Sequence, residues 1–232
     1  MKGVSKAVSL LVVCGGLCAV ASVTAAALDI PSVRGGPVTV PITSLKEARF
    51  KGTIRQQYDF SCGSAAIATL LTYQYGRPTT EQAAFSAMYA TGDQEKIRRE
   101  GFSLLDIKRF LETLGFAADG FELTLDKLAE AALPAIVLIK EKGYHHFVVI
   151  KGIRGDRVLI GDPAFGTRAL SRRAFEAMWD NEVLFVVHNR QELARFNQPL
   201  EWSVAPRAPL AAAVQRDGLW SVTVPRMGPG DF

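Results

Sequence analysis

The hydrophobic period of the chain changes near residue 134, and that change restricts the fold more than any other feature. Before it, apolar residues recur at helical spacing. From Cys62 onward Ile67, Leu70, Leu71 and Tyr75 mark one face, and Gly76 with Pro78 ends the segment. Thr79 with Gln82 predicts a capping box for a second helix running through Ala90. Ser103 with Asp106 predicts a cap for a third, with Ile107, Phe110, Leu111 and Leu114 as its buried stripe and Gly115 as its stop. A short fourth helix is expected from Leu125 to Ala132. After the change come PAIVLIK from Pro134, HFVVIKGI from His146, DRVLIGD from Asp156 and EVLFVVH from Glu182, short branched runs bounded by turn residues. One helix, Arg172 to Trp179, interrupts them. Helices first and strands afterwards predict an α+β domain, its N-terminal helical part packed on an antiparallel sheet.

The two ends of the chain read differently. Lys2 and Lys6 precede an apolar run from Ala7 to Val23, which closes on Ala25-Ala26-Ala27. Gly15 and Gly16 break the run and small residues end it, so residues 1–27 read as a signal peptide rather than a membrane anchor. Removing it leaves an exported chain with no integral membrane span. Between it and the helices lies an N-terminal extension, residues 28–50, with one extended segment from Val38 to Ile42. Beyond Asn189 the sequence carries several prolines and ends in Gly-Pro-Gly and two more residues, an extension of uncertain order.

Export makes the cysteine count informative. Cys14 and Cys18 leave with the signal, and Cys62 alone remains, so the chain has no internal disulfide framework. A lone cysteine taken blind is more often an inert core residue than a reactive one. Its neighbours argue otherwise. A thiol attacks a carbonyl as the thiolate, which a helix N-terminus or a nearby imidazolium favours. Cys62 opens the first helical run, and Gly63 beside it lets a substrate backbone approach closely. Gln56 or Gln57 could supply an amide donor to an oxyanion. Of the three histidines, His145 and His146 head a strand and point to opposite faces, and the pattern does not choose between them. His188 ends a strand and reads as structural or exposed. Asp162 follows a strand-like run and precedes Pro163, where a carboxylate could hold an imidazole in the required tautomer. Metal and phosphate chemistry find no support: there is no Cys-x-x-Cys, no His-Glu-x-x-His and no Gly-Lys-Ser/Thr after the glycine-rich pieces. The formal charge of +4 is scattered and not interleaved with aromatics, which disfavours nucleic acid.

Taken together, QQYDFSCGSAA, HFVV and GDPAFG resemble the C39 peptidases, the papain-like double-glycine or bacteriocin-processing proteases. The resemblance spans roughly Gln56 to Val187 and implies a peptidase domain over residues 51–189, followed by the extension 190–232. It implies Cys62 as nucleophile. It selects Gln56, six residues upstream, over Gln57, and His146 over His145, with Asp162 sixteen residues after that histidine. No cofactor is implied. Transporter-linked members have Asp immediately before the nucleophile and a second cysteine four residues after it, where this chain has Ser61 and Ala66. No ATPase motif follows, which matches exported stand-alone members, including a component of bacterial functional-amyloid secretion systems. The expected function is therefore a periplasmic or secreted cysteine endopeptidase acting on an exported polypeptide, with secretion or amyloid and biofilm assembly as the process the resemblance suggests. The alternatives are a non-cleaving module that binds an export substrate, and an amidase or acyl-transferase acting on cell-wall peptides.

Overall fold

The computed structural model describes residues 27–30, 38–41, 43–141 and 143–205. The proposed signal peptide up to residue 26 and the chain from residue 206 lie outside the described residues. Two units divide the chain, 1–43 and 44–232. In the first, β1 (Ala27–Ile30) pairs antiparallel with β2 (Val38–Pro41), Ala27 opposite Pro41 and Ile30 opposite Val38. The extended segment expected from Val38 is present; its partner strand had no alternating pattern to announce it.

The second unit begins with α1 (Leu45–Phe50), closed by a reciprocal capping box between Ser44 and Glu47. Next comes α2 (Cys62–Thr69), all eight of whose residues are buried. Its spacing predicts one apolar stripe, but Gly63, Ser64, Ala65, Ala66 and Ala68 are small enough to bury every face. A π-helical turn, Leu70–Gln74, continues it, with the Tyr75 N–H donating to Leu70 O at 3.2 Å. The next helix, α3 (Glu81–Thr91), is capped by Thr80, whose hydroxyl accepts from Ala83 N, and not by Thr79. Thr79 instead exchanges hydrogen bonds with Thr72 across the preceding loop. A helix unannounced by apolar periodicity, α4 (Gln94–Glu100), starts on an Asp93 cap. Its sequence QEKIRRE buries only Ile97. The Ser103–Asp106 capping box opens α5 (Leu104–Thr113) with Ile107, Phe110 and Leu111 buried, as the spacing predicts.

Beyond α5 the chain builds a six-stranded antiparallel sheet from β3 (Ala118–Glu122), β4 (Ala135–Glu141), β5 (Tyr144–Arg154), β6 (Arg157–Asp162), β7 (Gly166–Ser171) and β8 (Val183–Val187), in the order β3-β8-β4-β5-β6-β7. Two short helices, α6 (Leu125–Ala131) and α7 (Arg172–Glu176), join its strands. One face packs Phe147, Val149 and Phe185 with the apolar residues of α2, α3 and α5. The other packs Val148, Ile150, Val158 and Ile160 with Leu125, Leu128 and Phe175 of α6 and α7. Because both faces are covered, β5 reads as a continuous apolar run rather than an alternating one. Strand β7, GTRALS, has no apolar run to signal it. It is set by Gly166, at φ +78°, where a Cβ would come within 2.9 Å of the Arg49 backbone of α1. Part of the C-terminal extension is ordered on this unit. It forms a 3₁₀ turn (Gln191–Leu193) and α8 (Pro199–Trp202), with Trp202 buried.

Candidate active site

Cys62 is the first residue of α2, a free thiol 9% exposed. The peptide N–H groups at a helix start have no intrahelical partner and favour negative charge nearby. Ser61 occupies the N-cap but makes no side-chain cap bond to α2, so it leaves those donors free of side-chain competition.

Opposite the thiol stands His146, near the start of β5. It interacts with Cys62 on one side, and on the other its Nε2 donates to Asp162 Oδ1 at 2.8 Å. That leaves Nδ1 as the ring nitrogen for the sulfur. Burial alone would lower the imidazole, but the hydrogen bonds and charges of Asp162 and Cys62 push it up to about 9. A charged imidazolium at neutral pH is the partner that a thiolate needs.

Asp162, at the end of β6, is fully buried. Its Oδ1 also accepts from the backbone N–H of Ala164 at 2.9 Å and of Phe165 at 3.2 Å. Its Oδ2 accepts from Arg168 Nη2 at 2.8 Å and Nε at 3.2 Å. Burial acts to raise this carboxyl, yet His146, Arg168 and the Ala164 amide together hold it below the usual carboxylate range. It stays ionised and fixes the ring. Arg168 in turn reaches Glu141 Oε2 at 2.7 Å and lies over the Phe165 ring, 5.1 Å from its centroid.

Gln56 belongs to the loop before α2. Its backbone N–H donates to Pro163 O at 3.1 Å, which ties this loop to the strand end carrying Asp162. Its side-chain Nε2 donates to Tyr58 O at 3.1 Å, while Oε1 is buried without a partner. The amide has a second hydrogen, and neither amide atom bonds to His146 or Cys62. The other two histidines are engaged elsewhere: His145 pairs with Asp180 at 3.1 Å and His188 with Asp119 at 2.9 Å. Thus the structure brings together Cys62, His146 and Asp162 directly, and Gln56 through its backbone. Sequence reasoning did not foresee Arg168 or Glu141. Arg168 lies on the strand that had no apolar signature, and only the pairing of Asp162 with Gly166 across β6 and β7 brings it back to the carboxylate.

A thiol at a helix start, a raised imidazole and a buried carboxylate are the working parts of a thiol hydrolase. The model of the Peptidase C39 family matches residues 51–191, and the chain belongs to that family; it is a cysteine-type peptidase. Among its relatives, the probable functional amyloid protease FapD of Pseudomonas aeruginosa is 40% identical over 164 residues, covering 70% of this chain and 73% of that protein. The protein of the same name from Pseudomonas fluorescens is 40% identical over 161 residues, covering 69% and 71%. A solved structure, the peptidase domain of Streptococcus ComA, aligns with a TM-score of 0.49 at 22% identity, over 59% of this chain and 97% of that one.

Proposed function

We propose that Cys62 is the nucleophile of this peptidase, with His146 as general base and acid, Asp162 as the group orienting His146, and Gln56 as an oxyanion donor. Cys62 Sγ attacks the peptide carbonyl carbon while its proton resides on His146. The C–N bond then breaks, His146 returns the proton to the departing amine, and a thioester remains. Water, deprotonated by His146, hydrolyses the thioester and frees the enzyme. The observation that carries this reading is the placement of one imidazole between the helix-start thiol and a fully buried carboxylate.

The substrate in this proposal is an exported, amyloid-forming polypeptide met in the periplasm or outside the cell. Support comes from the signal-like N-terminal segment and from the names of the two relatives at 40% identity. Among the described residues no helix is long and apolar enough to cross a membrane.

The test follows iodoacetamide alkylation of Cys62 across pH, alongside mass-spectrometric mapping of cleavage in co-exported polypeptides by wild type, Cys62→Ala and His146→Ala. Fast alkylation near neutral pH that collapses in His146→Ala, with cleavage lost in both variants, is the expected result. Alkylation no faster than a free thiol, with Cys62→Ala still cutting, rules the assignment out.

A further inference from the structure

The loop that joins Gln56 to Cys62 hangs on a single carboxylate in a neighbouring helix. Glu81 is the first residue of α3 and is 4% exposed. Its Oε1 accepts from the Gln57 backbone N–H at 3.1 Å and from Ser61 Oγ at 2.5 Å. Gln57 adjoins the proposed oxyanion donor, and Ser61 adjoins the proposed nucleophile. One oxygen therefore grips both ends of the five-residue span between them. Ser61 is itself fully buried and also bridges the Tyr58 backbone, its Oγ 2.9 Å from Tyr58 O and 3.1 Å from Tyr58 N.

Burying a carboxylate is costly unless it is compensated. Among the described residues no lysine, arginine or histidine pairs with Glu81, and its Oε2 is buried without a hydrogen-bond partner. What offsets it is its place in the first turn of α3, where the helix dipole favours a negative charge, together with the two donors. A buried acid held on so few partners is poorly explained by stability alone. Its geometry has a second consequence. Ser61 is the N-cap residue of α2, a position where serine ordinarily bonds the first-turn N–H groups, but here its hydroxyl is turned toward Glu81 and makes no cap. Glu81 thereby keeps the amide donors beside Cys62 uncapped.

We infer that Glu81 is a positioning residue of this peptidase: through Gln57 and Ser61 it sets the oxyanion side of the site and withholds Ser61 from capping the nucleophile helix. This rests on the assignment of Cys62 and Gln56 proposed above.

The test uses two probes that need different parts of the site. The acylation burst with p-nitrophenyl acetate passes through a tetrahedral oxyanion; alkylation by iodoacetamide does not. In Glu81→Ala, acylation should slow about tenfold or more, toward the range seen when an oxyanion donor is lost, while alkylation changes much less. Glu81→Gln retains an acceptor oxygen and should recover most of the burst. In a Gln56→Ala background Glu81→Ala should add little, since both changes damage the same element. Thermal melting of each variant accompanies the rates. If Glu81→Ala fails to fold, Ser61→Ala removes one of the two links alone and should show the same coupling to Gln56→Ala with a smaller loss. A wild-type burst in Glu81→Ala, an equal factor in both backgrounds, or a Glu81→Gln no better than Glu81→Ala would overturn the inference. A burst that survives Cys62→Ala defeats the underlying site assignment instead. A burst lost in Cys62→Ala and intact in Glu81→Ala defeats only the role of Glu81.

Discussion

Strand β5 carries two charged groups into the interior, and they are used in opposite ways. His146, near its open end, keeps 16% of its side chain exposed beside a fully buried Asp162. Lys151, farther along, is 0% exposed and pairs with Glu201 of α8. Its Nζ also donates to Gly52 O at 2.5 Å, and Gln74 Nε2 donates to Glu201 at 3.1 Å. Around it, Asn197, held at φ +58°, ties the C-terminal segment to β5: its N–H donates to Lys151 O at 2.9 Å and its Nδ2 to Ile153 O at 3.0 Å, above Gly152, where a Cβ would come within 2.4 Å of Asn197 Oδ1. One network is open at one edge, where the proposed mechanism has His146 exchange a proton with a substrate. The other is sealed and holds the C-terminal segment against the sheet. Burial of charge therefore does not by itself mark a functional site; an accessible edge and a nucleophile within reach do.

The largest effect should separate the two networks by activity. Asp162→Asn keeps the shape but presents a neutral partner to His146, and turnover should fall by about 10³–10⁴-fold as the wrong tautomer becomes available. Steady-state kinetics beside thermal melting checks this, and a variant that melts far below wild type would make Asp162 a mainly structural acid. The converse is Glu201→Ala. It leaves Lys151 buried without its counter-ion and should cost about 3–5 kcal/mol of stability, while the folded fraction turns over within about twofold of wild type. Urea denaturation together with an active-site titration by iodoacetamide tests it; a loss of turnover in fully folded protein would join the clamp to the site.

The same contrast explains what the sequence could and could not disclose. The helix/strand division at residue 134 is visible for the strands packed on both faces, which demand apolar runs, and Cys62, His146 and Asp162 lie at the ends of those runs; β3, mostly exposed, precedes the division and has no such run to announce it. Within HFVVIKGI, though, Lys151 looks like a polar interruption, because its counter-ion is distant in sequence and in a tail whose prolines suggest little order. Strand parity, which leaves the choice between His145 and His146 open, gives no help at His146 either. It shares a register with Val148 and Ile150, which pack on the face away from α2, yet it is the histidine that meets Cys62. Helix α4 escaped notice because one buried isoleucine makes no stripe. The cap of α3 lies one residue beyond the expected one because Gln82 completes a box pattern with Thr79 and Ala83 does not with Thr80, and only the bond to Thr72 removes Thr79 from the choice.

Titration should give the two groups opposite signatures. Burial alone would lower His146, but Asp162 and Cys62 raise it to about 9, above its ordinary value of 6.5. Its stabilising contribution is fully present below pH 6.5 and disappears as pH rises through about 9. Unfolding free energy measured over that window should decline, by an amount on the order of a few kcal/mol, and His146→Ala should flatten the decline. For Lys151, burial outweighs the charge and hydrogen bond of Glu201 and holds the amine below its ordinary 10.5. Its folded form binds a proton more weakly than the unfolded chain, so its own contribution improves as pH rises toward 10.5. A downward slope unchanged in His146→Ala would remove the imidazole as its source.

The smallest effect should come from replacing the clamp altogether. Lys151→Met with Glu201→Leu removes both charges together, so neither is left stranded in the interior. The lost attraction is offset by the desolvation that no longer has to be overcome, and such exchanges are often neutral or stabilising. The double variant is expected within about 1 kcal/mol of wild type and with unchanged turnover, although Glu201→Ala alone is severe. Gly52 O and Gln74 Nε2 lose a partner in the exchange, and they set the lower bound on its cost. No equivalent exchange exists for His146 and Asp162 if the proposed mechanism holds, because it uses their charges during the reaction and does not merely match them to each other. A double variant as unstable as Glu201→Ala would mean that the ion pair itself, rather than the burial around it, fastens the C-terminal segment.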